Sequence, residues 1–470
     1  MVSLCWPIRW GTEAHGTHCR EGEAGHNVFL GGKMGDTSRS PTISTKLQKI
    51  AEQARRYPDM VFATLAHLID VEFLHEAFRR TRKNASPGVD GVTAAEYAAN
   101  LEENLRDLHE RMRSGRYIAP PVKRSWLDKD GSGKRPIGEP TLEDKIAQRS
   151  VVMVLGAIYE QDFHNVSHGF RKGRSQHQAL QQLWQQCTRM NINWIIDADV
   201  SGFFDNLDHS WLRKIIKQRV NDGGILRLIG KWLKAGVLEE EMVTYPEKGT
   251  PQGAVISPLL SNIFLHHVLD DWFVHEVQPR LKGYCFLIRF ADDFVIGCES
   301  EDDARRVMNV LPKRFGRFGL TIHPEKTVLT RFSKPNGRGN SAKGKGTFDF
   351  LGFTHYWAKS RRGSWVIKRK TRKKSLRRFL KALWVWLRRN RHLSLKEQHK
   401  MLSIKLRGHY QYYGVIGNIR LLGKVVHQAR RYWRYWLSRR SHKGYINWGQ
   451  YVDSILNKFA RPEPRIYHHS

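Results

Sequence analysis

The spacing of apolar residues along the chain predicts helices near both ends and strands between them. Apolar positions three or four apart lie on one face of a helix, whereas a short apolar run bounded by turn residues is typical of a strand. Helices are predicted over residues 46–81, as a pair, and over residues 93–113, 142–159, 375–389 and 423–438. Strands are predicted within residues 118–137, before Asp199 and on both sides of Asp292. The pattern indicates mixed helices and sheets.

One predicted hairpin carries a pair of acids. Apolar runs over residues 286–290 and 294–297 enclose Asp292 and Asp293. Two carboxylates against this much apolar surface are costly to desolvate unless a cation neutralises them, and a divalent metal would do so. A solvated Asp-Asp turn is the alternative, because Asp is a common turn former. The choice depends on a third acid.

A third acid follows another apolar run, over residues 194–205. Asp197 and Asp199 are two positions apart, so they share one face of a strand, and the apolar flanks predict a central place in a sheet. Three acids on adjacent strands could hold two Mg²⁺ ions for phosphoryl or nucleotidyl transfer. The spacing alone does not decide which Asp is the ligand.

Three loops carry further candidate chemistry. Lys129 and Arg135 flank a turn that could lie over a triphosphate, or could be an ordinary exposed basic turn. Arg171 and Arg174 lie in a glycine-punctuated basic loop suited to backbone phosphates. Gln252 lies in a Gly/Pro-bounded loop that offers backbone amides to a base or a sugar–phosphate edge, or is simply a tight loop.

Charge narrows the class of partner. The 470 residues carry a formal net charge of +34, and the pI near 10.2 implies a polyanion, most simply nucleic acid. No stretch reaches the length of a membrane-spanning helix, so we expect no membrane partner and a cytoplasmic location. Five scattered cysteines without C-x-x-C spacing argue against disulfides and a cysteine-rich zinc site. Residues 1–44 lack any period and are expected to be a flexible leader.

The order of motifs resembles the reverse transcriptases of bacterial group II introns. The resemblance rests on Arg135-Pro136-Ile137-Gly138, Gly169-Phe170-Arg171, Phe204-Asp205, Thr250-Pro251-Gln252-Gly253, Phe290-Ala291-Asp292-Asp293, Pro324-Glu325-Lys326-Thr327 and Phe350-Leu351-Gly352-Phe353. It implies an α+β right-hand polymerase, with fingers and palm over residues 45–358 and a helical basic thumb or maturase region (domain X) over residues 359–470. Two departures are Phe290, where tyrosine is usual, and Ala254, where a second glycine is common.

The resemblance also implies roles for single residues. The catalytic, metal-binding acids would be Asp199, Asp292 and Asp293, which leaves Asp197 a supporting position. Phe204 would lie under the incoming sugar and exclude a 2′-hydroxyl, so the product should be DNA. The nucleotide-binding set would be Lys129, Arg135, Phe204, Gln252 and Lys326, and the primer grip would be Phe350, Leu351, Gly352 and Phe353.

The region after Thr354 holds 30 lysines and arginines against three acids, a net charge of +27. Aromatic residues alternate with these cations, which favours binding to structured RNA over an inert basic surface. Candidate RNA contacts are Arg407, Tyr410, Tyr412 and Tyr413, in addition to Arg171 and Arg174. No His-and-Cys nuclease motif follows, so the resemblance is to the endonuclease-lacking class found with class C introns.

The sequence thus predicts an RNA-directed DNA polymerase that also binds its group II intron RNA, assists splicing and supports retrohoming by target-primed reverse transcription. The expected partners are intron RNA, an RNA template with a DNA primer, deoxynucleoside triphosphates, target DNA and two Mg²⁺ ions, in a nucleoid-associated setting. One alternative is a domesticated bacterial reverse transcriptase in phage defence, CRISPR memory or a diversity-generating element, without a maturase role. A catalytically silent splicing factor is a second alternative.

Overall fold

The structure is a computed structural model that describes residues 42–128, 134–239, 242–245, 247–335, 346–441 and 444–468. Residues 1–41 of the predicted leader and Lys129 lie outside the described residues. Helices and sheets are mixed, as the apolar pattern predicted. Among the described helices, none combines the length and apolar content needed to cross a bilayer.

The described helices include every segment that was predicted as helical, together with others that were not predicted. They are α1 Ile43–Arg56, α2 Val71–Arg80, α3 Ala94–Ala99, α4 Leu101–Ser114, α5 Leu142–Asp162, α6 Gln176–Arg189, α7 Phe203–Asn206, α8 His209–Lys217, α9 Gly223–Leu233, α10 Ser257–Leu265, α11 Glu301–Arg317, α12 Lys373–Arg389, α13 Leu395–Tyr413, α14 Ile419–Leu437 and α15 Trp448–Tyr451. Helix α10 continues as two π-helical segments, His266–Asp271 and Phe273–Val277. The predicted helix over residues 93–113 is broken at Asn100, and a capping box at Thr93 begins its first part.

The strands form three sheets. They are β1 Val122–Asp128, β2 Lys134–Glu139, β3 Trp194–Ala198, β4 Val237–Glu239, β5 Met242–Thr244, β6 Cys285–Phe290, β7 Asp293–Cys298, β8 Val328–Arg331, β9 Phe348–Phe350, β10 Phe353–Lys359 and β11 Trp365–Thr371. The sheet orders are β2-β1-β4-β5, β6-β7-β3-β8 and β11-β10-β9. The second sheet is antiparallel throughout and carries all three predicted catalytic acids, so we call it the acid sheet.

The acid sheet separates two hydrophobic cores. Because side chains alternate along a strand, Ile196 of β3 packs into the first core, with helices α5, α8, α9, α10 and α11. Ile195 points the other way, into a second core built from α6, β9–β11 and α12–α14. Asp197 and Asp199 have the parity of Ile195, so the acids lie on the face that the second core covers.

The predicted boundary between residues 358 and 359 falls at the end of β10. Strand β10 pairs with β11 along its whole length, and both belong to the second core together with the C-terminal helices. The division into leader, fingers-palm and thumb therefore stays a prediction from the sequence. The structure joins the last two parts through a shared core.

Candidate functional site

Asp199 is placed by the strand that precedes it. Strand β3 ends at Ala198, which pairs with Phe294 of β7, so Asp199 emerges beside the turn of the β6–β7 hairpin. Its backbone oxygen accepts a hydrogen bond from the His323 amide at 2.8 Å. The position of Asp199 is thus fixed by sheet register. A slip of one residue would turn the side chains of β3 to the opposite face of the sheet.

The hairpin turn is tight. Phe290 pairs with Asp293, so only Ala291 and Asp292 make the turn between β6 and β7. Ala291 has φ +57°, a left-handed conformation that costs a residue with a Cβ roughly 1–2 kcal/mol. Surrounding contacts must hold it there.

A neighbouring loop presses against this turn. Val166 and His168 hydrogen-bond through their backbones to Arg289 of β6, at 2.8 and 2.9 Å. Gly169 then passes so close that a Cβ built on it would lie 2.1 Å from the Ala291 nitrogen. Asn262 of α10 donates its side-chain amide to the Gly169 oxygen at 2.7 Å. The glycine of the predicted basic loop is therefore required by packing against the acid hairpin.

A buried arginine lies beneath the turn and was not predicted from the sequence. Arg289 is fully buried, and its five N–H groups bond to both Asp270 carboxylate oxygens, the Asn262 side-chain oxygen, the Ala291 backbone oxygen and the Ser167 hydroxyl. Full satisfaction is what a buried guanidinium needs in order to be tolerated. Its one sequence signal is a charge inside an otherwise apolar strand. Arg289 fixes the turn that carries Asp292.

The acids are strongly desolvated. Burial raises the pKa of Asp292, and the nearby Asp199 charge raises it further, while Arg135 acts in the opposite direction. Burial, followed by the Asp292 charge, raises the pKa of Asp293 well above its ordinary value. Burial likewise raises the pKa of Asp197 to about 7. The site concentrates carboxylates where negative charge is costly without a cation.

One cation already reaches the site. Lys326 places its Nζ 2.7 Å from Oδ2 of Asp199, across 127 positions of sequence. It is carried there by a turn in which the Thr327 amide bonds to the His323 oxygen at 3.0 Å. The predicted nucleotide-binding lysine thus contacts a predicted catalytic acid directly. Arg135, from β2, lies within electrostatic reach of Asp292.

The donor set fits divalent metal ions. Asp199, Asp292 and Asp293 offer carboxylate oxygens only, which Mg²⁺ prefers, and the raised pKa values of Asp292 and Asp293 record a shortage of positive charge. Asp199 shares its negative charge with Lys326. A metal bound through that Oδ2 would require the lysine to move away.

Two further predicted nucleotide contacts, Phe204 and Gln252, are linked to each other and to strand β2. Phe204 is half-buried and packs edge-on against Phe203, with ring centroids 5.4 Å apart. Its backbone oxygen accepts from the Thr250 amide at 2.8 Å, which ties the Gln252 loop to α7. The Gln252 oxygen accepts from the Gly138 amide of β2 at 2.6 Å. The structure therefore gathers Phe204, Gln252 and the β2 strand of Arg135.

The predicted primer grip is a tight turn between β9 and β10. Leu351 and Gly352 both have positive φ, at 46° and 81°. The side chains of Phe350, Leu351 and Phe353 are buried in the second core, so only the backbone of the turn can face a primer. Tyr412 donates its hydroxyl to the Leu351 oxygen at 2.8 Å.

Three predicted RNA contacts are corrected by the structure. Arg171 is buried, pairs with Glu160 at 3.0 Å and bonds to the His164 and Ser167 backbone oxygens, so it braces its own loop. Tyr410 and Tyr413 are buried in the second core, where their rings cannot stack on a base. Tyr412 is half-buried against Phe353. Arg174, half-exposed, donates to Asn165 at 2.6 Å.

Exposed cations instead line the second core's outer surface. Lys373, Arg377, Lys381 and Arg388 are exposed at helical spacing on one face of α12, and we call them the α12 stripe. Arg407 is exposed on α13. A cavity of about 770 Å³ opens at the start of α12, lined by polar and basic side chains that include Asp349, Lys370, Arg372 and Lys374. Arg372 also donates its backbone amide to the Gly352 oxygen at 2.9 Å, so the cavity adjoins the predicted primer grip.

Comparison with known proteins agrees with this geometry. Residues 127–355 match the family described as reverse transcriptase (RNA-dependent DNA polymerase). The chain is 37% identical to Protein YkfC of Escherichia coli K12 over 241 residues, which is 50% of this chain and 63% of that protein. It is 35% identical to the group II intron-encoded protein LtrA of Lactococcus lactis over 242 residues, 51% of this chain and 40% of LtrA.

A longer match of 456 residues, 84% of this chain and 50% of the relative, links it at 25% identity to the putative COX1/OXI3 intron 2 protein of Saccharomyces cerevisiae. The chain thus covers less than two thirds of each of these relatives. The matched region contains all three predicted catalytic acids. Residues 127–355 therefore resemble the reverse transcriptase (RNA-dependent DNA polymerase) family, and the resemblance to group II intron-encoded reverse transcriptases is confirmed.

Proposed function

We propose that this protein is an RNA-directed DNA polymerase with Asp199, Asp292 and Asp293 as its catalytic acids. The observation that carries the proposal is the meeting of these three carboxylates at one edge of the acid sheet, two of them with pKa values raised by burial, within the region that matches the reverse transcriptase family. Reverse transcriptase domains generally use divalent metal ions, and we propose Mg²⁺ for this site. Such ions, when bound, supply stabilisation of the negative charge that develops on the α-phosphate and on the leaving pyrophosphate.

The chain's own residues then position the reactants. Arg135 faces the same acids and would pair with the phosphates of an incoming deoxynucleoside triphosphate. Lys326, once released from Asp199, offers a mobile cation to the same phosphates. Phe204 would lie against the sugar and reject a 2′-hydroxyl. The backbone of the turn at Leu351 would support the primer strand.

Primer extension on an RNA template tests the site. Asp292→Ala or Asp199→Ala should abolish extension while affinity for the template changes only a few-fold, because these side chains hold metal and not template. Asp302→Ala, an exposed acid of α11, is the matched control and should extend at the parental rate. Extension by Asp292→Ala near the parental rate would refute the assignment.

We further propose that the second core's basic surface binds folded group II intron RNA, so that the protein assists splicing and then copies the intron into target DNA. What supports this is the net charge of +27 after Thr354, the α12 stripe and the cavity beside it, together with relatives whose names place them in introns. The proposed setting is the bacterial nucleoid, where target DNA lies. These relatives favour the intron role over a domesticated reverse transcriptase.

Salt dependence tests this surface. Replacing Lys373, Arg377 and Lys381 by Gln should lower affinity for intron RNA. The slope of log affinity against log salt concentration should become shallower by roughly 2–3, because each of the three phosphate contacts contributes about 0.7–0.9 to it. The control replaces Arg305, Lys313 and Arg317, exposed cations of α11, and so removes the same charge elsewhere. An equal effect of both triple variants would show that only total charge matters.

A competition assay separates the intron role from general RNA affinity. Intron RNA should outcompete an unrelated structured RNA at 150 mM salt for the parent protein, because folded loops present unstacked bases as well as phosphates. Equal affinity for both RNAs would leave a polymerase with a basic surface and no maturase role.

A further inference from the structure

A second cluster of metal-ligating side chains lies apart from the catalytic acids. Nε2 of His164 is 3.2 Å from Oδ1 of Asp271, and Nε2 of His275 is 3.5 Å from the same oxygen. One ligand atom from each of the three residues lies within 4.8 Å of the others. None of these residues takes part in the polymerase chemistry proposed above.

These separations suit a single zinc ion. A tetrahedral zinc ion has bonds of about 2.0–2.1 Å to His nitrogen and carboxylate oxygen, which places neighbouring ligand atoms roughly 3.3 Å apart. Two imidazoles and one carboxylate are a common zinc ligand set, with water in the fourth position. The set differs in kind from the catalytic acids, since nitrogen ligands disfavour Mg²⁺.

The fold presents the three ligands together without rearrangement. Asp271 and His275 are four residues apart on the π-helical extension of α10, so their side chains share a face. π-Helical turns are uncommon and often occur at functional sites. His164 comes from the segment that follows α5, and its ring lies 5.1 Å from that of His266 and 5.4 Å from that of His275. Two histidines thus contact the Asp271 carboxylate, and the third, His266, lies beside the His164 ring.

The cluster is coupled to the catalytic hairpin on both sides. Asp270, next to Asp271, turns inward and forms the buried pair with Arg289. Three residues after His164, the Ser167 hydroxyl accepts a hydrogen bond from the same arginine at 2.8 Å. A bond between His164 and Asp271 therefore joins the two segments that hold Arg289 in place.

We propose that His164, Asp271 and His275 form a zinc site that is separate from the catalytic metal site. A zinc ion there fastens the segment after α5 to the π-helical segment, and so stiffens the support of the hairpin that carries Asp292. The inference does not rest on the polymerase activity. A hydrogen-bonded His-Asp-His cluster without affinity for metal is the competing interpretation.

The test measures zinc binding by the full chain in excess Mg²⁺, with a chromophoric chelator as competitor. The parent should bind one more equivalent of zinc than Asp271→Asn or His275→Gln, and zinc should raise the melting temperature of the parent alone. His75→Gln and His427→Gln, exposed histidines of α2 and α14, are the controls and should behave as the parent. Histidines before residue 42 are common to all variants, so any zinc they bind cancels.

Substitution of Co²⁺ for zinc tests the coordination geometry of the site. Co²⁺ in the parent should give the intense visible absorption of a tetrahedral site, which Asp271→Asn should lose. His275 is the most exposed ligand, with 64% of its side chain accessible, so His275→Gln should fold as the parent does and melt at the same temperature without metal. Equal zinc stoichiometry and equal melting response in the parent and both ligand variants would overturn the proposal, whether or not the protein extends primers.

Discussion

Gly169→Ala should damage catalysis while leaving the fold intact. The added Cβ would lie 2.1 Å from the Ala291 backbone nitrogen, whereas ordinary contacts begin at 3.4 Å, so the two backbones must separate by about 1 Å. That displacement falls on the turn that carries Asp292, since Ala291 and Asp292 make the whole connection between β6 and β7. A misplacement of about 1 Å at reacting groups costs on the order of 10²-fold in rate. We therefore expect kcat to fall about 100-fold.

The assay is steady-state primer extension with saturating template and primer, alongside thermal unfolding of each variant. Gly156→Ala is the control, because a Cβ at that position of α5 meets no atom within 4 Å and a helical alanine stabilises by up to about 1 kcal/mol over glycine. It should extend at the parental rate. If Gly169→Ala melts like the parent and also keeps parental kcat, the contact between its loop and the hairpin does not set the position of Asp292.

Three further outcomes are expected. Arg289→Met should lower the free energy of unfolding by about 3–5 kcal/mol, seen as a lower urea midpoint, because it strands Asp270 in the core without its partner; an unchanged midpoint would contradict the buried pair. Asp197→Asn should remove a pH dependence of stability, because burial raises the pKa of Asp197 in the folded protein to about 7. The protonated acid stabilises the parent fully below about pH 4, and this stabilisation is lost as the pH rises through 7. In metal-free buffer, the free energy of unfolding of the variant should therefore increase relative to that of the parent between pH 5 and 8. Phe204→Val should admit ribonucleotides in a single-nucleotide incorporation assay, and unchanged discrimination would mean that the ring only packs against Phe203.

The positions of the three proposed catalytic acids in the fold could be predicted from sequence because each depends on local pattern. Asp199 follows an apolar strand, and Asp292 and Asp293 interrupt an apolar hairpin, so alternation and turn chemistry were sufficient to place them. Pairing of β3 and β6 with β7 is enough to bring the three acids to one edge of the sheet. The ion pair between Lys326 and Asp199 spans 127 positions, and no local pattern predicts it.

The errors arose where composition was interpreted without burial. Tyr410 and Tyr413 stand among cations, which suggested stacking on RNA, yet Leu402, Leu406 and Tyr410 are spaced by four and form the apolar face of α13. That spacing was the available signal. Arg171 belongs to a basic loop, but its acidic partner Glu160 lies on the preceding helix and removes it from solvent. A list of charged residues does not show which of them are paired.

The acid sheet forms a wall shared by two cores, and this limits how the protein can be modified. Removing the segment after residue 358 would uncover Ile195, Ile288 and Val295, which lie on strands of the acid sheet, so a shortened chain would expose an apolar face and aggregate. Chimaeras that exchange C-terminal regions between relatives would need matching residues on that face. Variation in RNA preference is therefore expected to accumulate on the outer surface of α12 and α13, while the inner surface changes only together with the sheet.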